Sequence, residues 1–422
     1  MIRQAAITGI GIVSAIGSDL ASFRQSLFSG RSGVRRIDGR ALPVPYAADV
    51  AGFVPPAGFE RADRSVQFAI AAARAAVADA GLCGAPAGRI GEYVDSDRAA
   101  VSIASSKGGV ASICELRERL ARTGGPVEPA ALADLFANCW PSTPAAAVAA
   151  DLGFRGPTAV PAAACAAGSH AVIDGALMIE RGEADIVIAG ATEASIIPLI
   201  SAGFCQLGVL APDGVCRPFD RDRSGFAIGE GAAMLILENT ADARARGAGI
   251  YAGIAGHVRA ADATGIVALD ESGASVASAI TRALHRAAIE CGTGVPPVIP
   301  EPREVDYINA HATGTRLNDI IETRAIKAAF GSHARDVAVS GTKPITGHLL
   351  GAAGAIETAI CAIALRHQMI PPTINLRTRD PECDLDLVCD ARRPAAVDVV
   401  MNLSFGFGGQ IGVLVLTRDG FR

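Results

Sequence analysis

The segment Val160-Pro-Ala-Ala-Ala-Cys-Ala-Ala-Gly-Ser-His170 decides how the rest of this chain is interpreted. It starts as an extended apolar stretch, and after the cysteine it continues into an apolar run, 171–180, which predicts a buried helix. Cys165 therefore lies where a strand passes into a helix. At such a position the helix dipole and free N–H groups stabilise a thiolate, and small neighbours give a substrate room to approach. The alternative for a single cysteine is a small buried core residue.

The composition indicates a large, well-packed globular protein. Half of the 422 residues are hydrophobic, 19% are charged, and glycine occurs 47 times. A net charge of −5 gives no sign of nucleic-acid binding. The ten cysteines include no CxxC pair and no histidine at metal-site spacing, so we expect free thiols, no metal site and a reducing, cytoplasmic location. The apolar N-terminal run could be a signal peptide, but Gly9, Gly11 and Gly17 interrupt it and favour a first strand and turn. We expect no membrane segment, because no charge-free apolar stretch is long enough to span a bilayer.

Strand and helix signals follow one another in the same order in both halves of the chain. In the first half the predicted strands are 5–13, 99–104, 184–190 and 225–238, and the predicted helices are 65–80, 115–122, a broken stretch at 132–152 and the helix after Cys165. In the second half the predicted strands are 250–257, 304–309, 336–340, 398–404 and 411–416, and the predicted helices are 273–290, 318–329 and 350–366. This duplication predicts a layered α/β fold of two βαβαβ halves, 1–248 and 249–422, that share one core.

Three further segments contain residues that packing alone does not explain. They are Tyr307-Ile-Asn-Ala-His-Ala-Thr-Gly-Thr315, Ser340-Gly-Thr-Lys-Pro-Ile-Thr-Gly-His348 and Asn402-Leu-Ser-Phe-Gly-Phe-Gly-Gly409. A single histidine is more often structural, and a glycine-rich loop is more often a plain turn. However, strand-end loops of α/β proteins are where catalytic groups gather, and these loops together hold a cysteine, two histidines and a lysine.

These segments resemble the β-ketoacyl-[acyl carrier protein] synthases of the thiolase superfamily, in particular the stand-alone type II elongating enzymes, synthases I and II. The likeness extends over nearly the whole chain and includes Ile7-Thr-Gly-Ile-Gly11, Cys216-Arg-Pro-Phe-Asp-Arg221 and Gly225-Phe-Ala-Ile-Gly-Glu230. It implies a thiolase-like fold with α-β-α-β-α layers. It also implies an acyltransferase that condenses an acyl thioester with malonyl-[acyl carrier protein], with loss of carbon dioxide, to give a 3-oxoacyl product in fatty acid or polyketide-type biosynthesis.

The resemblance assigns the chemistry to a few residues. Cys165 would become acylated, and His311 and His348 would stabilise the enolate that forms on decarboxylation. The N–H groups of Cys165 and Phe407 would hold the tetrahedral oxyanion. Lys343, with Glu357 as its ion-pair partner, would set the local charge and hold the histidines in place.

The remaining implied roles concern substrate and partner binding. Phe407 would gate the acyl pocket, with Phe405 in the same loop, and Thr313 and Thr315 would contact the phosphopantetheine arm. That arm arrives on the carrier protein, so no separate cofactor is expected. Arg61 and Arg64, which precede the predicted helix 65–80, would form part of a basic patch for the acidic carrier protein, with ordinary solvated arginines as the alternative. A homodimer is expected, and a heterodimer is the alternative.

Several residues depart from the family pattern. The loop after His311 reads Ala-Thr-Gly-Thr instead of Gly-Thr-Ser-Thr, Gln410-Ile411 replaces Thr-Asn, and no Thr-Ser-Pro occurs around 266–269. Lys107 replaces an apolar residue of the acyl pocket, so it either faces solvent or the dimer interface, or makes the pocket short and polar.

These departures leave two alternatives open: a ketosynthase subunit of a specialised polyketide pathway, and a non-catalytic partner subunit that resembles a chain-length factor. Such partner subunits usually lack the nucleophile, which is present here as Cys165. A thiolase is excluded, because it needs a second reactive cysteine where this chain has Gly406-Phe-Gly-Gly409.

Overall fold

The computed structural model describes residues 3–82, 95–123, 128–266, 269–290 and 304–419. The strands are β1 (Ala5–Ser14), β2 (Arg35–Arg36), β3 (Tyr46–Ala48), β4 (Ala99–Ala104), β5 (Thr158–Ala159), β6 (Ile186–Glu193), β7 (Ile228–Gly229), β8 (Gly231–Asn239), β9 (Ala252–Ala261), β10 (Tyr307–Asn309), β11 (Ala338–Ser340), β12 (Met369–Ile370), β13 (Asp386–Leu387), β14 (Arg393–Pro394), β15 (Val399–Gly406) and β16 (Gln410–Thr417). The helices are α1 (Leu20–Phe28), α2 (Arg64–Asp79), α3 (Val110–Thr123), α4 (Pro129–Asn138), α5 (Thr143–Leu152), α6 (Ala167–Glu180), α7 (Pro198–Gln206), α8 (Thr240–Ala245), α9 (Ala274–Glu290), α10 (Arg316–Phe330), α11 (Lys343–Thr346) and α12 (Ala353–His367).

The large sheet repeats one strand arrangement on both sides of its centre. In the described part of the chain its order is β13-β11-β10-β15-β16-β9-β1-β8-β6-β4-β5. Outward from the centre, β1-β8-β6-β4-β5 and β9-β16-β15-β10-β11 each begin with two antiparallel pairings and end with two parallel ones. The strands β1 and β9 pair over only two positions, Ala6–Gly253 and Ile7–Ala252. The sheet therefore consists of two equivalent halves with a narrow junction.

Helices cover this sheet in three layers. The helices α2 and α5 pack on the first half, α9 and α10 on the second, and α6 and α12 pack on each other between the two halves. The middle layer is almost wholly apolar, with Ile173 of α6 and Ile356, Ile360 and Ile363 of α12 at most 1% exposed. The α-β-α-β-α arrangement expected from the sequence is confirmed, and it places the N-terminal ends of α6 and α12 next to each other.

One helical stretch, Leu350–His367, is long and apolar enough to cross a bilayer, and within the described residues it is alone in this. Of this stretch, 89% is buried inside the protein. Its apolar composition follows from its place in the middle layer, where both sides of the helix face sheet or helix.

Two helices begin earlier in the structure than the sequence predicts. The helix predicted at 65–80 is α2, which begins one residue earlier, at Arg64, because the side chain of Asp63 caps it by accepting the N–H of Ser65 at 2.9 Å. The helix predicted at 115–122 is the C-terminal part of the longer helix α3, which begins five residues earlier. Cys83 and Cys291, predicted to be free thiols, lie outside the described residues.

Candidate active site

Cys165 occupies a tight turn directly before the helix α6. The turn is a short 3₁₀ segment, Ala164–Ala166, and Ala164 has a φ of +45°, a conformation that costs energy for a residue with a side chain. The end of β15 lies against this turn. A Cβ atom on Gly406 would be 2.7 Å from the carbonyl oxygen of Ala163 and 3.0 Å from the nitrogen of Cys165. Only glycine at 406 therefore allows the two backbones to approach so closely.

Residues from both halves of the chain line one cavity of about 80 Å³. The predicted site residues in its wall are Cys165, His311, Thr313, Thr315, His348, Phe405 and Phe407. The sequence places Cys165 more than 140 residues from either histidine, and the packing of α6 on α12 brings them together. The cavity thus combines a thiol, two imidazoles and aromatic walls.

His311 is held by contacts on three sides. The N–H groups of His311 and Ala312 donate to the Glu322 carboxylate at 2.6 and 2.8 Å, and Phe405 packs against the ring. Lys343 Nζ donates to the backbone oxygen of His311 and lies 3.3 Å from its Nδ1. Because an ammonium can only donate, Nδ1 is the acceptor and the ring proton is on Nε2.

His348 has the same tautomer for a different reason. Its Nδ1 accepts the N–H of Leu350 at 3.3 Å, so its proton is also on Nε2. Its ring lies at 83° to that of His311, with the centroids 5.6 Å apart, and the Phe226 ring packs edge-on at 4.7 Å. Burial, and then the charge of Lys343, hold the pKa of both histidines well below the ordinary value. Both rings are therefore neutral N–H donors.

The ion pair of Lys343 and Glu357 joins α11 to α12. Nζ and Oε1 are 2.5 Å apart, and both side chains are 1% exposed. Burial raises the pKa of Glu357 to about 7, and the ammonium of Lys343 acts in the opposite direction. The pair thus places a positive charge beside His311, which fits its predicted role in holding that ring.

Burial opposes the thiolate that the sequence predicts for Cys165. Burial raises the pKa of this thiol to about 11, although the charges of Lys107 and Lys343 lower it. The expectation considered the helix dipole alone, whereas the layers around α6 remove the sulfur from water and favour the neutral form.

Lys107 lies close to the site without lining the cavity. Its Nζ donates to Ser106 Oγ at 2.7 Å, is 4.0 Å from Glu193 Oε1 and is 5.8 Å from the centre of the Phe204 ring. The side chain is 24% exposed. It is thus neither a free surface lysine nor part of the wall that contains Thr313 and Thr315.

The two arginines predicted to dock a carrier protein differ in environment. Arg64 is 32% exposed and its guanidinium is used internally: it donates to Glu230 at 2.7 Å and to the backbone oxygen of Val50, and it covers the Phe68 ring. These contacts tie the start of α2 to the segment after β3 and to the residue between β7 and β8, so the docking role of Arg64 stays a prediction. Arg61 is 78% exposed and contacts Asp134 at the surface.

Two buried carboxylates that the sequence did not predict bind backbone groups of the site. Glu322 of α10 binds the loop of His311 as described, and burial raises its pKa to about 8. Glu193, at the end of β6, accepts hydrogen bonds from the N–H and Oγ of Ser106, Ser195 Oγ and the N–H of Gly351. Their sequence positions could have indicated a buried role, because Glu193 ends an apolar strand and Glu322 lies on the buried face of a helix.

Comparison of this chain with known protein families identifies the family to which it belongs. The family described as beta-ketoacyl synthase, N-terminal domain, matches residues 3–243, and its C-terminal domain matches residues 251–377. This chain belongs to the beta-ketoacyl synthase family. This beta-ketoacyl synthase is 38% identical to the putative polyketide beta-ketoacyl synthase 1 of Streptomyces cyaneus over 100% of both chains. It is equally identical to the 3-oxoacyl-[acyl-carrier-protein] synthase 2 of Coxiella burnetii over 99% of both.

A solved structure of an ishigamide ketosynthase/chain length factor superimposes with a TM-score of 0.88, at 34% identity and with 100% of both chains covered. The thiolase-like fold and the acyltransferase activity expected from the sequence are thus confirmed. This beta-ketoacyl synthase condenses an acyl thioester with malonyl-[acyl carrier protein] in fatty acid or polyketide synthesis.

Proposed function

We propose that Cys165 carries the acyl group. Its Sγ forms a thioester bond with the acyl carbon, the bond from that carbon to the pantetheine sulfur breaks, and the thiol proton passes to the departing sulfur. The single observation that supports this role best is that the sulfur shares one small cavity with the Nε2–H donors of His311 and His348.

The two histidines act in the second half-reaction. As the malonyl carboxylate leaves as carbon dioxide, its bonding electrons form an enolate, whose oxygen accepts hydrogen bonds from Nε2 of His311 and His348. The enolate carbon then attacks the acyl carbon, the bond to Cys165 Sγ breaks, and the released thiolate takes a proton from water. Neutral imidazoles suit this role, since they donate a proton in a hydrogen bond without transferring it.

Backbone groups and loops complete the site. The N–H groups of Cys165 and Phe407 hold the oxyanion of the tetrahedral intermediate, which the close approach of Gly406 to the Cys165 turn supports. Phe407 stacks on Phe204 at 6.3 Å and gates access to the sulfur. The mutually hydrogen-bonded hydroxyls of Thr313 and Thr315, 2.9 Å apart in the cavity wall, bind the phosphopantetheine arm.

We infer that the substrates arrive on an acyl carrier protein in the cytoplasm. Arg61 remains as an exposed cation for an acidic carrier, whereas Arg64 is engaged internally. The carrier's phosphopantetheine supplies the thiol, so the reaction needs no further cofactor, metal ion, nucleic acid or membrane.

We also propose that the active form is a dimer. Apolar side chains are exposed along α3, α4 and the turn after α4, including Ile113, Phe136 and Trp140, and the last two rings pack together at 5.4 Å. Stable monomers rarely leave such a continuous apolar surface in water, so a second subunit covers it. The subunit is another copy of this chain or, as in the ketosynthase/chain length factor that it resembles, a different partner.

The test separates catalysis from a partner role. The purified chain is incubated with a panel of acyl-carriers and then with malonyl-carrier, and the intact mass is followed. A catalytic subunit gains one acyl group and loses it on addition of malonyl-carrier, with release of the 3-oxoacyl product. No adduct with any donor would favour the chain-length-factor-like alternative. The fatty acid and specialised polyketide alternatives differ in which donors acylate the protein.

A further inference from the structure

Lysine is rare in this chain. Of its 38 Lys and Arg residues, only Lys107, Lys327 and Lys343 are lysines. Lys343 lies beside His311, and Lys327 pairs with Asp384 at the surface at 2.6 Å. Lys107 and Lys343 are both close enough to the active site for their charges to act on Cys165, and an ammonium offers a compact charge with rotating donors where a guanidinium is planar.

The ammonium of Lys107 lies at the end of an aromatic wall that starts at the catalytic cavity. Phe407 lines the cavity and stacks on Phe204, and Phe204 also packs edge-on against Phe226 at 5.7 Å. Lys107 Nζ lies over the other part of this wall, 5.8 Å from the centre of the Phe204 ring. The ring of Phe204 belongs to the same apolar cluster as Cys165. A chain that extends from the sulfur along this wall, away from Thr313 and Thr315, runs towards Lys107.

The ammonium has donor capacity that the protein does not use. Within the described residues, one acceptor lies within hydrogen-bond distance of Nζ, which is Ser106 Oγ at 2.7 Å. The carboxylate of Glu193 is 4.0 Å away, too far for a hydrogen bond, and its oxygens already accept from Ser106, Ser195 and Gly351. Two of the three ammonium protons therefore have no acceptor among the described residues and can be donated to a bound group.

We propose that Lys107 selects acyl groups that carry an oxygen acceptor, such as a ketone, over plain alkyl groups of the same length. The proposal rests on the acylation of Cys165 described above. An alkyl chain along this wall would displace water from the ammonium and give it no acceptor in return, which is unfavourable. A ketone oxygen at the matching carbon replaces the lost water and lies beside a positive charge.

The experiment compares acyl donors of equal length. Pantetheine thioesters of octanoate, 5-oxooctanoate and 7-oxooctanoate are supplied, and acylation of Cys165 is followed by intact mass, with Cys165→Ala as the blank. We expect at least one of the oxo thioesters to acylate the wild-type chain about tenfold faster than octanoate, the factor that one hydrogen bond to a charged group provides. The oxo position that reacts fastest measures how far the ammonium is from the sulfur.

The variant Lys107→Met keeps the length of the side chain and removes its charge. We expect it to lose the preference for the oxo donor, measured as the ratio of the oxo to the octanoate rate, because the charge of Lys107 also lowers the pKa of Cys165 and its loss changes both absolute rates. Lys107→Gln is a second variant that keeps polarity, and Lys327→Met is the matched control that leaves the preference unchanged.

Equal rates for octanoate and both oxo donors in the wild type would overturn the proposal, as would an unchanged preference in Lys107→Met and Lys107→Gln. Failure of every donor to acylate Cys165 would instead contradict the proposed function itself, so the two failures are distinguishable.

Discussion

At the scale of single residues, burial controls the protonation of the reacting groups. The same low-dielectric surroundings that keep His311 and His348 neutral also keep the Cys165 thiol protonated. Neutral rings are useful, because they can donate Nε2–H to an enolate oxygen. A neutral thiol is a weaker nucleophile than a thiolate, so burial lowers the reactivity of the Cys165 sulfur.

The pH dependence of Cys165 alkylation tests this protonation state. Because burial raises the pKa of the thiol to about 11, the thiolate fraction rises with pH throughout the usual range. We expect the alkylation rate with iodoacetamide to rise about tenfold per unit from about pH 7 to about pH 9.5, without a plateau. The rate is measured by intact mass, and Cys165→Ala corrects for the other cysteines. An alkylation rate that reaches a plateau at the ordinary thiol pKa would contradict the raised pKa of Cys165.

At the scale of secondary-structure elements, three strained turns present the three reacting side chains. Ala164 precedes Cys165, Ala312 follows His311 and Leu350 follows His348 by two positions, with φ of +45°, +41° and +48°. Such conformations persist only where the surrounding structure enforces them. The packing of α6 on α12 and the carboxylates Glu193 and Glu322 supply this enforcement.

The ion pair between α11 and α12 leads to a prediction about stability. In Lys343→Met the carboxyl of Glu357 remains buried without its partner, which we expect to lower the free energy of unfolding by about 3–5 kcal/mol at pH 8. The folded-state pKa of Glu357 is already about 7, above its ordinary value, and loss of Lys343 raises it further. Stability therefore falls as pH rises, and the variant should lose less at pH 6 than at pH 8.

Urea unfolding at both pH values measures this effect. The double variant Lys343→Met with Glu357→Gln should recover most of the stability and remove the difference between the two pH values, while its condensation rate stays low. An equal loss at both pH values would contradict the assigned role of the pair.

The close approach of β15 to the Cys165 turn leads to a prediction about rate. In Gly406→Ala the added Cβ would lie 2.7 Å from the oxygen of Ala163, so the loop of Phe407 must move away from the oxyanion position. We expect the condensation rate, measured below the melting temperature, to fall by about 100-fold or more, as on loss of one oxyanion donor, and the melting temperature to fall as well, because backbone atoms must shift. The control is Gly203→Ala in α7, where a Cβ meets no atom within 4 Å. An unchanged rate in Gly406→Ala would exclude the proposed oxyanion geometry.

At the scale of the whole molecule, two equivalent halves divide the chemistry between them. The first half supplies the sulfur at the start of α6, and the second supplies both imidazoles before α10 and α12. The narrow β1–β9 junction and the shared middle layer hold the halves together, so each half depends on the other for a complete site.

The exposed apolar surface on α3 and α4 leads to a prediction about assembly. Phe136→Asp with Trp140→Asp places charges on this surface, and we expect the double variant to sediment as a monomer while the wild type sediments as a dimer. Val54→Asp, at an exposed apolar residue elsewhere, is the control and should remain a dimer. A wild-type chain that is monomeric at high concentration would contradict self-association and leave a different partner subunit as the occupant of this surface.

The sequence predicted the parts of the site that depend on local patterns. Cys165, His311 and His348 each belong to a short motif at a strand end, and the duplicated order of elements predicted the layers. Glu322 and Glu193 were missed because the partners of a carboxylate are set by tertiary packing. The burial that opposes a Cys165 thiolate and the internal contacts of Arg64 were not predicted for the same reason: both are properties of the folded chain.

Whether Cys165 carries the acyl group is tested most directly by measuring the two half-reactions separately in Cys165→Ala. The variant lacks the sulfur but keeps both histidines, so we predict no acyl adduct, a condensation rate reduced more than about a thousandfold, and continued release of carbon dioxide from malonyl-carrier. Cys389→Ala, at a half-buried cysteine away from the cavity, should behave as the wild type. Normal formation of the 3-oxoacyl product by Cys165→Ala would show that the acyl group is carried elsewhere.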